Sequence, residues 1–206
     1  MRQSTLSRST FIVLLVVIAA VIAPTALLAA PAGILAQPSS GLAQTETSIE
    51  GFAIRLPKKY APVEIPGSKK AANTGITTYA FAGPPDAFGR KPVLVISITS
   101  TVPNSPALSD LANGMAGFEA SVTRTDPAAT GQKSKIEKLN GMTCQRMEFS
   151  KLMGTGSDRH RVNGVVYGFL GQRSFLLTAA TVNATGDQSS LSVLEASIRS
   201  IHELPH

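Results

Sequence analysis

Cysteine, histidine and tryptophan are scarce in this chain of 206 residues, and each shortage excludes a class of protein. The single cysteine, Cys144, excludes a disulfide within the chain, so an exported domain would have to be stabilised by its hydrophobic core. The three histidines form no pair at metal-ligand spacing, and no C-x-x-C motif or aspartate-rich calcium loop is present. The sequence also has no G-x-S-x-G elbow and no complete phosphate-binding loop. We therefore expect no bound metal and no cofactor.

Aromatic and charged residues are also few. Aromatic residues make up 5% of the chain, with no tryptophan and three tyrosines, whereas single-stranded nucleic acid is bound by aromatic platforms interleaved with cations. The formal charge of +6 falls to +4 without Arg2 and Arg8, because 17 basic residues then face 13 acidic ones. We expect no nucleic-acid partner. The mild positive charge instead suits an anionic surface or polymer outside the cell.

The N-terminus carries the one long apolar run. Residues 11–23 (FIVLLVVIAAVIA) contain no polar side chain, two arginines precede them and small residues follow, which is the order of a secretory signal. Residues 30–32 (APA) formally fit a cleavage site, although proline at the middle position is unfavourable. Either a cleaved signal or an uncleaved anchor would place the rest of the chain outside the cytoplasm, in the periplasm, secreted or anchored.

The anchor alternative rests on length. Residues 11–36 exceed the roughly 20 residues that span a bilayer, so this segment could also contact the membrane permanently. Pro24, Pro31 and Gly33 interrupt it and favour a signal that ends near Ala23. The predicted organisation is a signal peptide or membrane anchor over 1–36, a flexible small-residue linker over 37–48 and a folded domain over 49–206.

Alternating and apolar segments in the folded part predict strands. Residues 51–57 (GFAIRLP) alternate apolar and polar side chains, and 92–99 is apolar on both faces, as in a central strand. Asn140-Gly141 is a hairpin signal. Further strands are predicted over 76–82, 142–150, 162–170 and 174–182.

Two amphipathic stripes predict helices. The first helix is expected to have Ser105 as its N-cap and Pro106 at its first position, with apolar residues every three or four positions as far as Val122. Off this stripe, Gly114 and Gly117 mark either a close approach to another element or a frayed helix. The last helix is expected to begin at Asp187, with an apolar stripe made by Leu191, Leu194, Ile198 and Ile201.

Hairpin-linked strands require an antiparallel sheet, and one-sided helices cover its faces, so the predicted class is α+β with about six to seven strands and two main helices. The order of elements resembles that of PsbP-like domains, which include the photosystem extrinsic protein, its bacterial envelope relatives and a Ran-binding factor of the same fold. The segments that carry the resemblance are 51–57, 140–149, 166–169, 175–180 and 194–203. The resemblance implies an α/β/α sandwich and a binding or assembly-assisting module without catalysis. It carries over no functional residue.

Three groups of residues are candidate sites. Glu119 falls inside the apolar arc of the first helix, so it is either a buried carboxylate or a side chain that reaches solvent near the helix end. Arg159, His160 and Arg161 could bind an anion, or they could form a solvated hairpin tip. Cys144 is either a small buried side chain or a reactive thiol with His160 as its base.

These observations favour a non-catalytic exported module that binds an envelope protein or assists its assembly. One alternative is a binder of anionic surface polymer or lipid headgroups through the paired lysines at 58–59 and 69–70. The other is an enzyme that uses Glu119 or the Cys144–His160 pair.

Overall fold

The structure is a computed structural model that describes residues 42, 46–64, 75–100, 106–186 and 188–205. Within these ranges the chain forms short strands, a long helix, a set of long strands and a closing helix. The elements in chain order are β1 (Thr47–Ile49), β2 (Phe52–Ile54), β3 (Ala61–Pro62), β4 (Ile76–Ala82), β5 (Val93–Ser100), α1 (Leu108–Thr125), β6 (Thr130–Lys133), β7 (Glu137–Leu139), β8 (Met142–Met153), β9 (His160–Leu170), β10 (Ser174–Asn183), α2 (Ser189–Arg199) and β11 (His202–Glu203).

The main sheet is antiparallel and has the strand order β3-β4-β5-β10-β9-β8-β6, with β7 pairing beside β6 on β8. A second sheet has the order β1-β2-β11. The expected six to seven strands are therefore too few, since eight strands form the main sheet and three form the second. The additional strands are two to four residues long, too short to show a hydrophobic period.

The two helices lie on opposite faces of the main sheet, which confirms the α+β class. On one face, Leu111, Met115 and Phe118 of α1 pack against Met147 and Phe175 of the sheet. On the other face, α2 and the small sheet bury a separate cluster that includes Leu194, Ile198, Phe52, Ile54 and Phe169. Each helix buries only one side, as its apolar stripe predicts.

Helix α1 begins at Leu108, two residues after the position predicted for its first residue. Ala107 is the N-cap, and its N–H donates to the Asp110 carboxylate at 2.7 Å, which satisfies one of the free donors at the helix start. The predicted cap Ser105 and the predicted start of the second helix, Asp187, lie outside the described residues. Gly114 marks a close approach, because an added Cβ would lie 2.5 Å from the ring of Phe175.

The predicted signal or anchor over 1–36 lies outside the described residues and stays a prediction, as do the domain boundaries. Strand β1 begins at Thr47, inside the segment expected to be a linker. Of the helices that the described ranges contain, neither has the length and apolar character needed to span a membrane.

Candidate functional site

A groove of about 590 Å³ lies on the α2 face of the main sheet, beside edge strand β6. Helix α2 packs over β9 and β10, so the part of this face formed by β8 and β6 is left open. The polar lining residues include Gln132, Arg146, Glu148, Asn163, Gln188 and Glu195. All of them project from a strand or from α2 except Gln188, which is the N-cap of α2, so the positions of their side chains are set by the sheet and the helix.

Arg146 is the centre of the charged floor of this groove. Its Nε donates to Glu195 Oε1 at 2.7 Å and its Nη2 donates to Glu195 Oε2 at 3.1 Å, which is a two-point contact between β8 and α2. The same Nη2 donates to Glu148 Oε1 at 2.6 Å. Such a paired guanidinium and carboxylate fix each other's orientation. The hydrogen bond with Glu195 raises the pKa of Arg146, so this side chain is charged at any physiological pH.

Tyr167 extends the network into the core beneath α2. Its side chain is fully buried, its hydroxyl donates to Glu195 Oε1 at 2.7 Å, and Arg199 Nη1 donates to the same hydroxyl at 3.2 Å. Burial, and then the hydrogen bond with Glu195, raises the pKa of Tyr167 to about 12. Tyr167 is therefore a neutral donor at any physiological pH.

Glu195 is held in its ionised form. Burial by itself would raise the pKa of this carboxyl, but the hydrogen bonds from Arg146 and Tyr167 lower it below the usual value. The carboxylate and its guanidinium partner thus satisfy each other, and neither is left as a free acid or base. This arrangement is suited to presenting a rigid polar surface, and it lacks a nucleophile that faces a general base.

Of the two alternatives for Glu119, the structure shows the one in which the side chain reaches solvent, and the buried carboxylate is wrong. Its side chain is 43% exposed and its carboxylate pairs with Lys133 Nζ at 2.5 Å. Glu119 lies at the flank of the apolar stripe of α1, from where its flexible side chain extends to edge strand β6 and reaches solvent. It is therefore not a desolvated carboxylate.

The three residues of the predicted anion site do not act as one group. Arg159 is exposed, His160 Nδ1 lies 2.8 Å from the carbonyl oxygen of Asp158, and Arg161 pairs with Asp126 at 3.4 Å. Asp126 is buried and also accepts the N–H of Leu152, which is the largest cause of its lowered pKa. Arg161 is thus engaged by a structural carboxylate, and anion binding at this hairpin stays a prediction.

The Cys144–His160 pair is not brought together. Cys144 lies opposite Phe169 in the β8–β9 register, whereas His160 lies opposite Met153, nine residues further along the strand, or about 30 Å at strand spacing. Cys144 is fully buried, and burial raises the pKa of its thiol to about 11. An enzyme built on this pair is excluded by the geometry.

Arg146, Tyr167 and Glu195 are not among the candidates that the sequence pattern indicates. A signal for Glu195 was present, because it lies four residues after Leu191 and three before Ile198, on the apolar side of α2. Like Glu119 in the first helix, Glu195 is an acidic residue next to the apolar stripe of its helix. Nothing in the sequence indicates that Arg146 and Tyr167 reach this carboxylate. In the described part of the chain, no three His, Cys, Asp or Glu side chains are grouped closely enough to hold a metal ion.

One solved structure with low sequence identity shares the fold, and others match with lower scores. The solution structure of cyanobacterial PsbP (CyanoP) from Synechocystis sp. PCC 6803 matches with a TM-score of 0.52 and 13% identity, over 85% of this chain and 98% of that one. The Ran-binding protein Mog1p of Saccharomyces cerevisiae matches with a TM-score of 0.47 and 9% identity, over 80% and 97%. A structure from Bacteroides thetaiotaomicron VPI-5482 matches with a TM-score of 0.43 and 9% identity over 76% of this chain and 46% of that one, so this chain spans about half of that protein. No family model and no curated protein matches the sequence.

Proposed function

We propose, from the premise that this chain has the PsbP-like fold, that it is a non-catalytic binding module that works outside the cytoplasm. In this proposal it binds a protein of the cell envelope and assists its assembly. The export location rests on the basic and apolar pattern of residues 1–36. The binding role rests on one observation, which is the open groove beside the exposed edge strand β6.

The backbone of β6 is available for pairing. The N–H of Ser134 donates to the carbonyl of Arg146 at 2.8 Å, which fixes the alternation of this antiparallel pair. Gln132 and Thr130 therefore direct their backbone groups toward β8, and Gly131 and Lys133 direct theirs away from the sheet. An extended segment of a partner can add to this edge as a further strand.

The groove next to this edge would provide the specificity. Its floor is the Arg146–Glu195 pair, which is held from both the sheet and α2 and does not need to reorganise on binding. Glu148 contributes the most exposed charge of this network, with a side chain that is 60% exposed. We expect the partner segment to be extended, with one basic side chain that reaches Glu148.

The experiment uses site-specific photo-crosslinking in native envelopes. A photoreactive residue is placed at Gln132, and in a matched protein at Ala120, which is exposed on the outer side of α1. The expected result is a discrete adduct with one envelope protein from position 132 and none from position 120. Mass spectrometry of the adduct then identifies the partner and the linked segment.

Two substitutions at Gly131 test the strand-addition geometry. Proline removes the outward N–H of this residue, whereas alanine keeps it, and an added Cβ at Gly131 meets its nearest neighbour at 3.5 Å. Gly131→Pro is expected to abolish the adduct and Gly131→Ala to retain it. Equal adducts from positions 132 and 120, or an adduct that survives Gly131→Pro in a folded protein, would contradict the proposal.

A further inference from the structure

The loop between β4 and β5, residues 83–92, displays an exposed aromatic side chain on a rigid support. Phe88 is 60% exposed. Asp86 Oδ1 accepts the backbone N–H groups of Phe88 at 2.8 Å and Arg90 at 2.9 Å, and Asp86 Oδ2 accepts the side-chain amide of Asn183 at 2.8 Å. The backbone N–H of Asp86 also donates to the carbonyl of Arg90 at 2.8 Å. The loop is therefore held in one shape with its phenyl ring facing solvent.

Four cationic side chains belong either to the loop of Phe88 or to the turn that leads into strand β3 beside the base of this loop. Arg90 and Lys91 follow Phe88 in the loop, and Lys58 and Lys59 occupy a turn whose next residue, Tyr60, packs on the base of the loop. An added Cβ at Gly83 would lie 2.6 Å from the Tyr60 ring. Within the ranges that the structure describes, none of the four cations forms an ion pair. We call Lys58, Lys59, Phe88, Arg90 and Lys91 the basic end.

The sheet topology places a second loop, which carries Asp158 and Arg159, at the same end of the molecule. Strands β4 and β8 end there, and β5 and β9 begin there, so the hairpin that carries the exposed Arg159 projects in the same direction as the Phe88 loop. Only β10 separates β5 from β9, which places the two loops about 10 Å apart at their strands. The acidic residue of the Phe88 loop, Asp86, is already engaged by its three hydrogen bonds.

Leu42, which follows the N-terminal apolar run in the sequence, contacts the domain beside the basic end. Leu42 forms an antiparallel bridge with Pro57, which directly precedes Lys58. Leu42 is six positions after Ala36, the last residue of the apolar run, and a chain of that length reaches at most about 20 Å. A membrane that holds the apolar run is therefore within reach of the basic end.

The geometry points to an anionic lipid bilayer as the binding partner of the basic end. Phe88 enters the headgroup region, and the four cations face the lipid phosphates. Aromatic rings favour the membrane interface, and basic side chains next to it are attracted by anionic lipids. This surface is separate from the groove beside β6, so the inference of lipid binding can be tested independently of the proposed protein partner.

The test uses tryptophan as a reporter, because the chain contains none. The full chain with Phe88→Trp is reconstituted with phosphatidylcholine vesicles, with or without phosphatidylglycerol, and with brominated acyl chains as quenchers. The matched reporter is Ile136→Trp, at an exposed apolar position between β6 and β7. In anionic vesicles we expect a blue shift and quenching for Trp at position 88 and neither at position 136.

Two double substitutions distinguish binding through the basic end from attraction of the lipid by the net positive charge of the protein. Arg90→Gln with Lys91→Gln is expected to lower the ratio of docked to undocked protein about 25-fold, since each cation near an anionic membrane contributes about fivefold. Lys135→Gln with Lys138→Gln, exposed positions near β7, is expected to leave the ratio unchanged. Equal quenching at positions 88 and 136, equal quenching in neutral and anionic vesicles, or equal effects of the two charge pairs would each overturn the inference.

Discussion

Tyr167 is the residue that links the candidate site to the core. Its hydroxyl joins Glu195 to Arg199 although the ring is fully buried. Tyr167→Phe is expected to lower the free energy of unfolding by about 1–3 kcal/mol, because the half-buried Glu195 loses a donor that comes from the core. The measurement is urea unfolding, with Tyr79→Phe as control. The hydroxyl of Tyr79 also donates to a carboxylate, Glu50 at 3.1 Å, but at an exposed position, where the loss should be smaller.

The pH dependence of this effect has a definite sign. Because the folded pKa of Tyr167, about 12, lies above the ordinary value of 10.0, the stabilisation by its hydroxyl is complete below pH 10. It is lost as the pH rises from there toward 12. The stability difference between the wild type and Tyr167→Phe should therefore narrow over that interval. A difference that stays constant over this interval would contradict the pH dependence, and a loss equal to that of Tyr79→Phe at neutral pH would show that burial does not strengthen the hydrogen bond.

Lys151 carries a charge that the fold buries at a cost. It is 4% exposed, Asp126 is the acidic residue that attracts it, and burial lowers its pKa. Lys151→Met is expected to raise the free energy of unfolding at neutral pH by about 1–3 kcal/mol, since an apolar side chain of similar length avoids the desolvation. The gain should shrink as the pH rises toward 10.5, the ordinary pKa of lysine, because the buried Lys151 is then neutral and no charge has to be desolvated on folding. Lys138→Met, at an exposed position, is the control, and an equal gain there would refute the argument.

At the scale of elements, β9 depends on a glycine for its fit between its neighbours. A Cβ on Gly164 would lie 2.7 Å from the carbonyl oxygen of Ala180 and against the ring of Phe149. Gly164→Ala is expected to lower the free energy of unfolding by about 1–3 kcal/mol, because the backbone of β10 cannot move aside cheaply. Thermal unfolding checks this, with Gly131→Ala as the matched glycine in an edge strand. Similar midpoints for the two variants would contradict it.

The elements also show where sequence patterns succeed. Strands β4, β5, β9 and β10 lie where apolar and β-branched runs predict them, because buried strands need such side chains on one or both faces. Strands β6 and β7 lack an apolar run, since their side chains are largely exposed, and the Asn140-Gly141 hairpin signal is what indicates a strand before β8. Helix α1 begins at Leu108 and not at Pro106, because the Asp110 carboxylate accepts the N–H of Ala107 and makes Ala107 the N-cap. This local contact outweighs the preference for proline at the first helical position.

At the scale of the whole molecule, two surfaces result from the antiparallel order of the main sheet. The groove exists because α2 covers β9 and β10 and leaves the β8–β6 edge open. The basic end exists because β3 pairs with the end of β4, which brings the turn of Lys58 and Lys59 next to the loop of Phe88. Protein binding at the edge and lipid binding at the end would orient the domain with its groove beside the membrane surface.

The sequence by itself determined the α+β class, the positions of the long strands, the apolar sides of both helices and the lack of a disulfide. These follow from periodicity and composition, which act over a few residues and can be read along the chain. Only the tertiary structure decided that Glu195 meets Arg146 and Tyr167, that Glu119 reaches Lys133 and solvent, and that Cys144 lies about 30 Å from His160. Those relations depend on strand register and helix placement, which bring together residues that no local pattern connects.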